Sequence, residues 1–208
     1  CPADHAECVH TSSINAECRC LGRWTWESGC TACETGWDGD DCASCLFFVD
    51  GAATASGDGS SWATAFTTIP EALDAVPSLE SEEQCEIWVA QGTYHVYESA
   101  PEDTIELLPR VHLYGGFFGD EADLSERDFE TNLTILDGRA ESDETLRVYH
   151  VVTGADEAIL DGFTITHGRA TADDEVRNAD NYGGGMVNFG VSPTVASCIF
   201  TDNEAAFS

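Results

Sequence analysis

The sequence contains no lysine and only eight arginines, against 39 aspartates and glutamates, which gives a formal net charge of −31 over 208 residues. Nucleic acids and anionic membranes bind basic surfaces, so neither is expected as a partner. No run approaches the ~18 apolar residues of a membrane-spanning helix, so no membrane insertion is expected in this segment. The acidic residues are spread along the chain, which favours a soluble, self-repelling surface over a dedicated loop for divalent cations.

The ten cysteines are distributed unevenly. Eight lie between residues 1 and 45, whereas only Cys85 and Cys198 fall in the remainder of the chain. Dense cysteines are typical of a small module held together by disulfides, and sparse cysteines of a domain with a conventional core. We therefore predict two domains, 1–45 and 46–208. Because disulfides persist in oxidising compartments, we expect the protein to be extracellular, either secreted or displayed on a cell surface, or else periplasmic.

A short apolar pattern recurs along the second domain at steps of 24, 23, 24 and 35 residues. Its first residues are Val89, Leu113, Leu136, Leu160 and Val195. A period in the low twenties, built from short apolar strands and polar turns, is typical of a solenoid. The last step equals the same period plus an 11-residue insertion, and the runs around Val151 and Met186 are also 35 residues apart. We predict coils that stack in parallel, with Leu113, Leu136 and Leu160 one above another.

A single helix is predicted ahead of these coils. Thr68 and Glu71 have the spacing of a capping box, and Pro70 suits the first turn of a helix. Ile69, Leu73 and Val76 place one apolar stripe on the next turns before Pro77 ends the helix. We expect residues 46–85 to form an N-terminal cap, whose helix covers the open end of the first coil, and residues 86–208 to form the coils.

The cysteines of the first domain follow a regular order. Cys18-Arg-Cys20 is followed by Cys30-Thr-Ala-Cys33 and then by Glu-Thr-Gly-Trp-Asp-Gly-Asp-Asp-Cys42. In this order the domain resembles a laminin-type epidermal-growth-factor-like (EGF-like) module. The resemblance implies the bridges Cys20–Cys30, Cys33–Cys42 and Cys1–Cys18. It leaves the partners of Cys8 and Cys198 open, and Cys45 either belongs to the module or reaches forward to Cys85.

Two alternatives concern the same cysteines. Cys30-x-x-Cys33 and Cys42-x-x-Cys45 are two CxxC pairs, as in structural zinc sites. Only eight residues separate the pairs, which is shorter than the usual zinc-ribbon loop, so the disulfide interpretation is favoured. An N-terminal Cys1 is also the position of a lipidated cysteine in a mature lipoprotein, and a disulfide is favoured there too.

Several motifs of the second domain occur in a fixed order. They are Gly-Ser-Ser-Trp-Ala-Thr-Ala-Phe66, the helix, Ile-Trp-Val-Ala-Gln-Gly-Thr-Tyr94 and Val-His-Leu-Tyr-Gly-Gly-Phe-Phe-Gly119. With these motifs, the domain resembles bacterial pectin-lyase-like surface proteins with a right-handed parallel β-helix. Gly183-Gly-Gly-Met186 and Phe200-Thr-Asp-Asn203 resemble the repeats of polymorphic outer-membrane proteins. The resemblance implies a mainly β chain that forms a right-handed parallel β-helix. It implies no particular activity, because this fold hosts lyases, hydrolases, adhesins and stalks.

Enzymes of this fold use clustered aspartates, often with calcium, and a basic residue. The nearest set here is Asp137, Arg139, Asp161 and Arg169. If the coils stack, Asp137 and Asp161 lie one above the other and form a candidate calcium site. Leu-Asp-Gly is also an ordinary turn sequence, and we favour that interpretation, so no cofactor is expected.

A long insertion between residues 169 and 182 is the expected place for ligand recognition. Its acidic residues are Asp173, Asp174, Glu175 and Asp180. The alternative, a solvated loop without a ligand, is favoured. The histidines show no zinc-enzyme spacing, so His112, His150 and His167 are expected to be surface or packed residues rather than metal ligands.

Taken alone, the sequence favours a non-catalytic segment of a secreted or cell-surface protein, serving as an adhesin, spacer or ligand-presenting stalk. An extracellular protein or a glycan is the expected partner. The alternative is a polysaccharide lyase or related carbohydrate-active enzyme. The chain lacks an initiator Met and ends just after a strand-like segment, so we expect it to be part of a longer, C-terminally continued polypeptide.

Overall fold

The structure is a computed structural model that describes residues 6–12, 15–20, 37–38, 44–80, 83–171 and 181–206, with side chains from residue 45 onward. The chain divides into two compact units, 1–46 and 47–208. The prediction that residues 1–45 form an EGF-like module stays a prediction.

The first unit contains two paired strands, β1 (Ala6–Ser12) and β2 (Asn15–Cys20). They are antiparallel, and their register places Cys8 opposite Cys18. A short strand β3 (Trp37–Asp38) pairs antiparallel with β4 (Ser44–Val49). Of the cysteines with a bridge implied by the resemblance, Cys1, Cys30, Cys33 and Cys42 lie outside the described residues.

The second unit is built from strands that pair in parallel. The strands, in chain order, are β5 (Cys85–Ala90), β6 (Gly92–His95), β7 (Ile105–Glu106), β8 (Val111–Phe117), β9 (Thr134–Asp137), β10 (Val152–Thr153), β11 (Ile159–Asp161), β12 (Phe163–Thr166), β13 (Arg169–Ala170), β14 (Met186–Val187), β15 (Thr194–Ala196), β16 (Ile199–Thr201) and β17 (Glu204–Ala205). The first sheet has the order β15-β11-β8-β5-β4-β3, the second β16-β12-β9-β6 and the third β14-β10-β7, while β13 pairs with β17.

The chain visits these sheets in a repeating order. The strands β5, β6 and β7 belong to the first, second and third sheets, and the next three strands, β8, β9 and β10, follow the same order. We call one such passage a circuit. Each new circuit adds one parallel strand to each sheet. The prediction of a mainly β chain with parallel sheets is therefore confirmed.

The predicted spacing of the circuits is partly wrong. Leu160 pairs with Leu113 and with Val195, so the 35-residue step is confirmed. Leu136, however, lies on the second sheet and pairs with Tyr94 and Ile165. In the second circuit, long loops over residues 118–133 and 138–151 connect the strands. Leu113 and its stacked partner Leu160 are therefore 47 residues apart in sequence. The Leu-Asp-Gly pattern occurs at the end of a strand on both the first and the second sheet. Its spacing in the sequence therefore does not give the length of a circuit.

Large apolar side chains fill the interior between the sheets. Phe47, Leu113, Leu136 and Leu160 are fully buried, and each such burial stabilises the fold by roughly 1.5–3 kcal/mol. His112 and Tyr114, which alternate with the interior residues of β8, are also buried. The loop over residues 118–133 covers Tyr114, because Arg127 lies 5.1 Å from the centre of the Tyr114 ring. His112 meets the Tyr114 ring edge to face, with ring centres 6.2 Å apart.

An aromatic cluster packs on the first sheet beside this loop. Trp88 and Phe117 stack with ring centres 4.8 Å apart, and Phe48 meets Trp62 edge to face at 4.7 Å. The Trp62 indole, in a short 3₁₀ turn (Trp62–Thr64), donates to the carbonyl of Glu121 at 2.9 Å. The cluster therefore packs the turn at residues 62–64 and the loop over residues 118–133 against the sheet. A second 3₁₀ turn lies at Leu124–Glu126.

The predicted helix is present as α1 (Ile69–Ala75). Thr68 and Glu71 form both bonds of the capping box, which is confirmed, and Ile69, Ala72 and Leu73 are buried. The helix contacts β5 and β7. It ends at Ala75, and the C-cap residue Val76 precedes Pro77, which cannot continue a helix. In the described part of the chain, no helix has the length and apolar character needed to cross a membrane.

The two isolated cysteines of the second domain differ in state. Cys85 forms a disulfide with Cys45, which settles the alternative left open for Cys45. The bond also removes Cys45 from the second CxxC pair of the zinc alternative. Cys198 is a free thiol, and burial raises its pKa.

The motifs Gly183-Gly-Gly-Met186 and Phe200-Thr-Asp-Asn203 pack against each other. A Cβ on Gly185 would lie 2.8 Å from both Phe200 and the Asn203 amide. Asn203 accepts from the Gly168 amide and donates to the Ile165 carbonyl, each at 2.9 Å. The glycine is therefore required by the close packing of the aromatic ring and the asparagine that follows.

Candidate functional site

The structure separates the two aspartates that were expected to stack. Asp137 ends β9 on the second sheet, where it pairs with His95 and Thr166. Asp161 ends β11 on the first sheet, between Tyr114 and Ala196. The predicted calcium site from two stacked carboxylates is therefore wrong in its geometry. The cause is the same misplacement of Leu136, because Asp137 follows that leucine.

Asp137 is held by its neighbour Arg139. Its Oδ1 accepts from the Arg139 backbone amide at 3.0 Å, and its Oδ2 accepts from Nη2 at 2.8 Å. The Asp137 side chain is only 4 % exposed. A two-residue separation allows one side chain to bond both the backbone and the guanidinium, so this pair is set by the local turn.

His167 completes this group. Its Nδ1 lies 3.1 Å from Asp137 Oδ1 and 3.2 Å from the Thr166 hydroxyl. The backbone of His167 is left-handed, with φ of 62°. No pattern in the sequence pairs His167 with Asp137, because they are 30 residues apart and meet only through the register of β9 and β12.

The charge of Asp137 is stabilised by these contacts. Burial alone would raise its pKa, but the hydrogen bonds from Arg139 and the charges of His167 and Arg139 lower the pKa below its usual value. The same carboxylate raises the pKa of Arg139. Asp137 is therefore an anion with fixed orientation at neutral pH.

The remaining members of the predicted set have other partners. Asp161 Oδ2 accepts from Arg127 Nη2 at 2.5 Å, and both side chains are largely buried. Arg169 lies 3.4 Å from Glu204, which also binds Arg147 at 3.0 Å. Of the four predicted residues, the structure brings only Asp137 and Arg139 together.

Other histidines use Nδ1 in a similar way. His95 Nδ1 donates to the Arg139 carbonyl at 3.1 Å, and His150 Nδ1 donates to the Gly183 carbonyl at 3.2 Å. Burial lowers the pKa of His112. Among the side chains that the structure describes, no three His, Cys, Asp or Glu groups are arranged to hold a metal ion.

The acidic residues of the insertion, Asp173, Asp174, Glu175 and Asp180, lie outside the described residues. Their expected role in ligand recognition stays a prediction.

A cleft of about 550 Å³ lies between the start of α1 and the strands β6 and β7. Its lining includes Glu98, Glu102, Glu106 and Glu141, together with Tyr94. Asp103, also on its wall, is bonded to the backbone amides of residues 98–100. Nothing in the sequence indicated this cleft, since its residues come from separate loops.

No protein-family model, curated protein or solved structure matches this chain.

Proposed function

We propose that residues 46–208 form a right-handed parallel β-helix. Its support is the path of the chain through three sheets, with a parallel strand added to each sheet in every circuit. Parallel crossover connections are right-handed in nearly all proteins, which is the reason for the proposed hand. Helix α1 and strand β4 then form the start of the solenoid, and α1 shields the first circuit from solvent.

The function that this architecture supports best is that of a rigid, non-catalytic segment of a secreted or cell-surface protein, which presents a surface to an extracellular protein or glycan. The observation that carries this proposal is the continuous stack of the buried residues Ile87, Leu113 and Leu160 on neighbouring parallel strands. Such a stack gives a stiff body with long faces. The disulfide between Cys45 and Cys85 fits an oxidising compartment.

The alternative, a polysaccharide lyase or related carbohydrate-active enzyme, has less support. The predicted aspartates lie on different sheets, and each is bonded to an arginine. Residues 46–208 carry 31 acidic and six basic residues, a net charge of −25. A surface of this charge repels acidic polysaccharides and slows their association.

The test is to incubate the full chain with polygalacturonate and alginate, with and without calcium, and to follow unsaturated products by their ultraviolet absorbance. We expect no increase over the buffer rate. A rate that calcium stimulates and Asp137→Asn abolishes would overturn the non-catalytic proposal.

A second experiment tests whether the chain presents a surface that binds glycans or cells. The immobilised chain is probed with a glycan array and with intact cells, beside the double variant Asp137→Asn/Asp161→Asn. We expect binding that the double variant retains. Failure of both proteins to bind any glycan or cell, at concentrations up to the high micromolar range, would count against presentation.

A further inference from the structure

The cleft beside α1 lies along the open edge of a strand. Strand β7 is the last strand of the third sheet, whose order is β14-β10-β7, and among the described residues no strand pairs with its other side. The first sheet differs at this end, because β4 lies beside β5. An open edge offers backbone N–H and C=O groups to an additional strand.

The backbone groups of β7 divide between its two sides. The amides of Ile105 and Leu107 donate toward β10, to the carbonyls of Val151 and Thr153, at 3.0 and 2.9 Å. Because alternate residues of a parallel strand direct their hydrogen bonds to opposite sides, the amide and carbonyl of Glu106 face away from β10. In the described part of the chain, neither group pairs with another strand.

This open edge forms one wall of the cleft. Thr104 and Glu106 line the cleft of about 550 Å³. A second cavity of about 230 Å³ shares both residues and continues along α1 to Leu73 and Leu108. The two cavities together form a groove between α1 and β7 that follows the strand. A groove of this shape fits an extended peptide, which can pair with the strand edge along its length.

The rim of the cleft carries four exposed glutamates, which are Glu98, Glu102, Glu106 and Glu141. None of them forms an ion pair with another described residue, whereas each arginine described with a side chain contacts a carboxylate outside the cleft. The chain contains no lysine. A partner that supplies lysine or arginine side chains would therefore complement the rim.

The floor of the cleft is apolar. Tyr94, Val96 and Ile105 line it and are buried. Lysine and arginine carry their charge at the end of a long aliphatic stem, so the stem can lie on such a floor while the charged group reaches the rim. The floor and the rim together therefore match these side chains better than a bare cation, which has no apolar part.

We propose that the cleft binds an extended segment, rich in lysine or arginine, of an extracellular partner protein. The segment adds a strand to the open edge of β7: its backbone pairs with the amide and carbonyl of Glu106, and its basic side chains reach the glutamates of the rim. This inference rests on the proposed presenting function, to which it adds a site and a class of partner.

The probe is a short peptide of alternating lysine and valine with blocked ends, titrated into the full chain by calorimetry. Amide hydrogen exchange is followed by NMR in the free and the saturated protein. We expect the peptide to slow exchange of the Glu106 amide by about 10-fold or more, since that amide gains a partner. The amides of Ile105 and Leu107 already donate toward β10 and should change little.

A second peptide tests the backbone pairing. It has the same side chains, but its alternate backbone nitrogens are methylated, so it keeps its charge and cannot donate hydrogen bonds along one edge. We expect it to bind about 10-fold more weakly or worse, because strand addition depends on main-chain hydrogen bonds. Equal affinities of the two peptides would overturn the proposal.

Two double variants separate the cleft from general attraction to an acidic protein. Glu102→Gln/Glu106→Gln should weaken binding of the first peptide by about 5-fold or more, because it removes two rim carboxylates and keeps the backbone. Asp120→Asn/Glu130→Gln is the matched control, since both side chains are exposed outside the cleft and the charge changes equally. It should weaken binding by less than about 2-fold. Circular dichroism verifies that each variant is folded.

Equal losses in the two double variants would overturn the proposal, as would unchanged exchange of the Glu106 amide in the saturated protein. Absence of peptide binding at concentrations up to about 1 mM would also overturn it. Each of these results leaves the presenting function standing if the chain still binds glycans or cells, so failure of the site and failure of the function are distinguishable.

Discussion

Arg127 Nη2 lies 2.5 Å from Asp161 Oδ2, although 34 residues separate them in sequence. The same guanidinium donates from Nη1 to the carbonyls of Gly115 and Asp161 and lies over the rings of Tyr114 and Phe129. One side chain therefore connects the loop over residues 118–133 to two neighbouring strands of the first sheet. This relationship explains why Asp161, expected as a ligand, serves the fold.

Removal of this arginine should destabilise the protein. Arg127→Met leaves Asp161 charged, largely buried and without its partner, so we expect the free energy of unfolding to fall by about 2–4 kcal/mol. Urea unfolding followed by fluorescence measures the change. Arg169→Met is the control, because Arg169 lies 3.4 Å from Glu204 with both side chains about half exposed, and such a pair contributes about 0–1 kcal/mol. Similar losses in the two variants would show that the Asp161 contact is not the stabilising one.

The disulfide between Cys45 and Cys85 should contribute comparably. It closes a loop of about 40 residues, for which the loop-entropy model gives about 4 kcal/mol, with measured values of about 2–4 kcal/mol. In urea unfolding, we expect the free energy of unfolding of the double variant Cys45→Ala/Cys85→Ala to be about 2–4 kcal/mol lower than that of wild type. Cys198→Ser should change little, because Cys198 is a free thiol. An unchanged unfolding midpoint in the double variant would contradict the expectation.

Local signals predicted the elements that depend on a few consecutive residues. The capping box of Thr68 and Glu71 and the stop at Pro77 define α1 without help from the rest of the chain. The 35-residue step from Leu160 to Val195 was also predictable, because the insertion between them keeps the order of strands.

Contacts that depend on loop length were not predictable. Two loops in the second circuit move Leu136 to the second sheet, and Asp137 moves with it. The same register brings His167 to Asp137, and the loop over residues 118–133 brings Arg127 to Asp161. Neither pairing leaves a local trace in the sequence, since the loops are irregular and their lengths do not follow from residue type.

Acid should remove the stabilisation that Asp137 provides. Its pKa is lower in the folded protein than in the unfolded chain, because the hydrogen bonds and charge of Arg139 and His167 outweigh burial. The contribution is therefore present above the unfolded value near 4 and is lost as pH falls through the folded value. We expect Asp137→Asn to cost about 1–3 kcal/mol at neutral pH, and the difference from wild type to shrink below about pH 4. The exposed Asp74→Asn is the control, and a pH-independent difference for Asp137→Asn would be contrary to this expectation.

Alkali should affect Tyr94. Burial raises its pKa to about 12, while its hydroxyl accepts from the Gly51 amide and donates to the Ala90 carbonyl. Because the unfolded value is about 10, the stabilisation is complete below that pH and is lost as pH rises through about 12. Tyr94→Phe should flatten the fall in unfolding free energy across this range, whereas Tyr97→Phe should not. Absorbance of phenolate near 295 nm, measured in wild type and variant, identifies the tyrosine that ionises at the highest pH. If this ionisation persists in Tyr94→Phe, it belongs to another tyrosine.

The register of the first unit makes a prediction about its cysteines. Cys8 lies opposite Cys18 on the antiparallel strands β1 and β2, and directly opposed residues have Cα separations of about 4.5–5.5 Å, within the range of a disulfide. We therefore expect a Cys8–Cys18 bridge, whereas the resemblance to laminin-type modules implies Cys1–Cys18. Proteolysis without reduction, followed by mass spectrometry of the linked peptides, distinguishes the two. Cys8→Ser should release one additional thiol from Cys18 if they are bonded, and a Cys1–Cys18 peptide in the wild-type digest would contradict the register-based pairing.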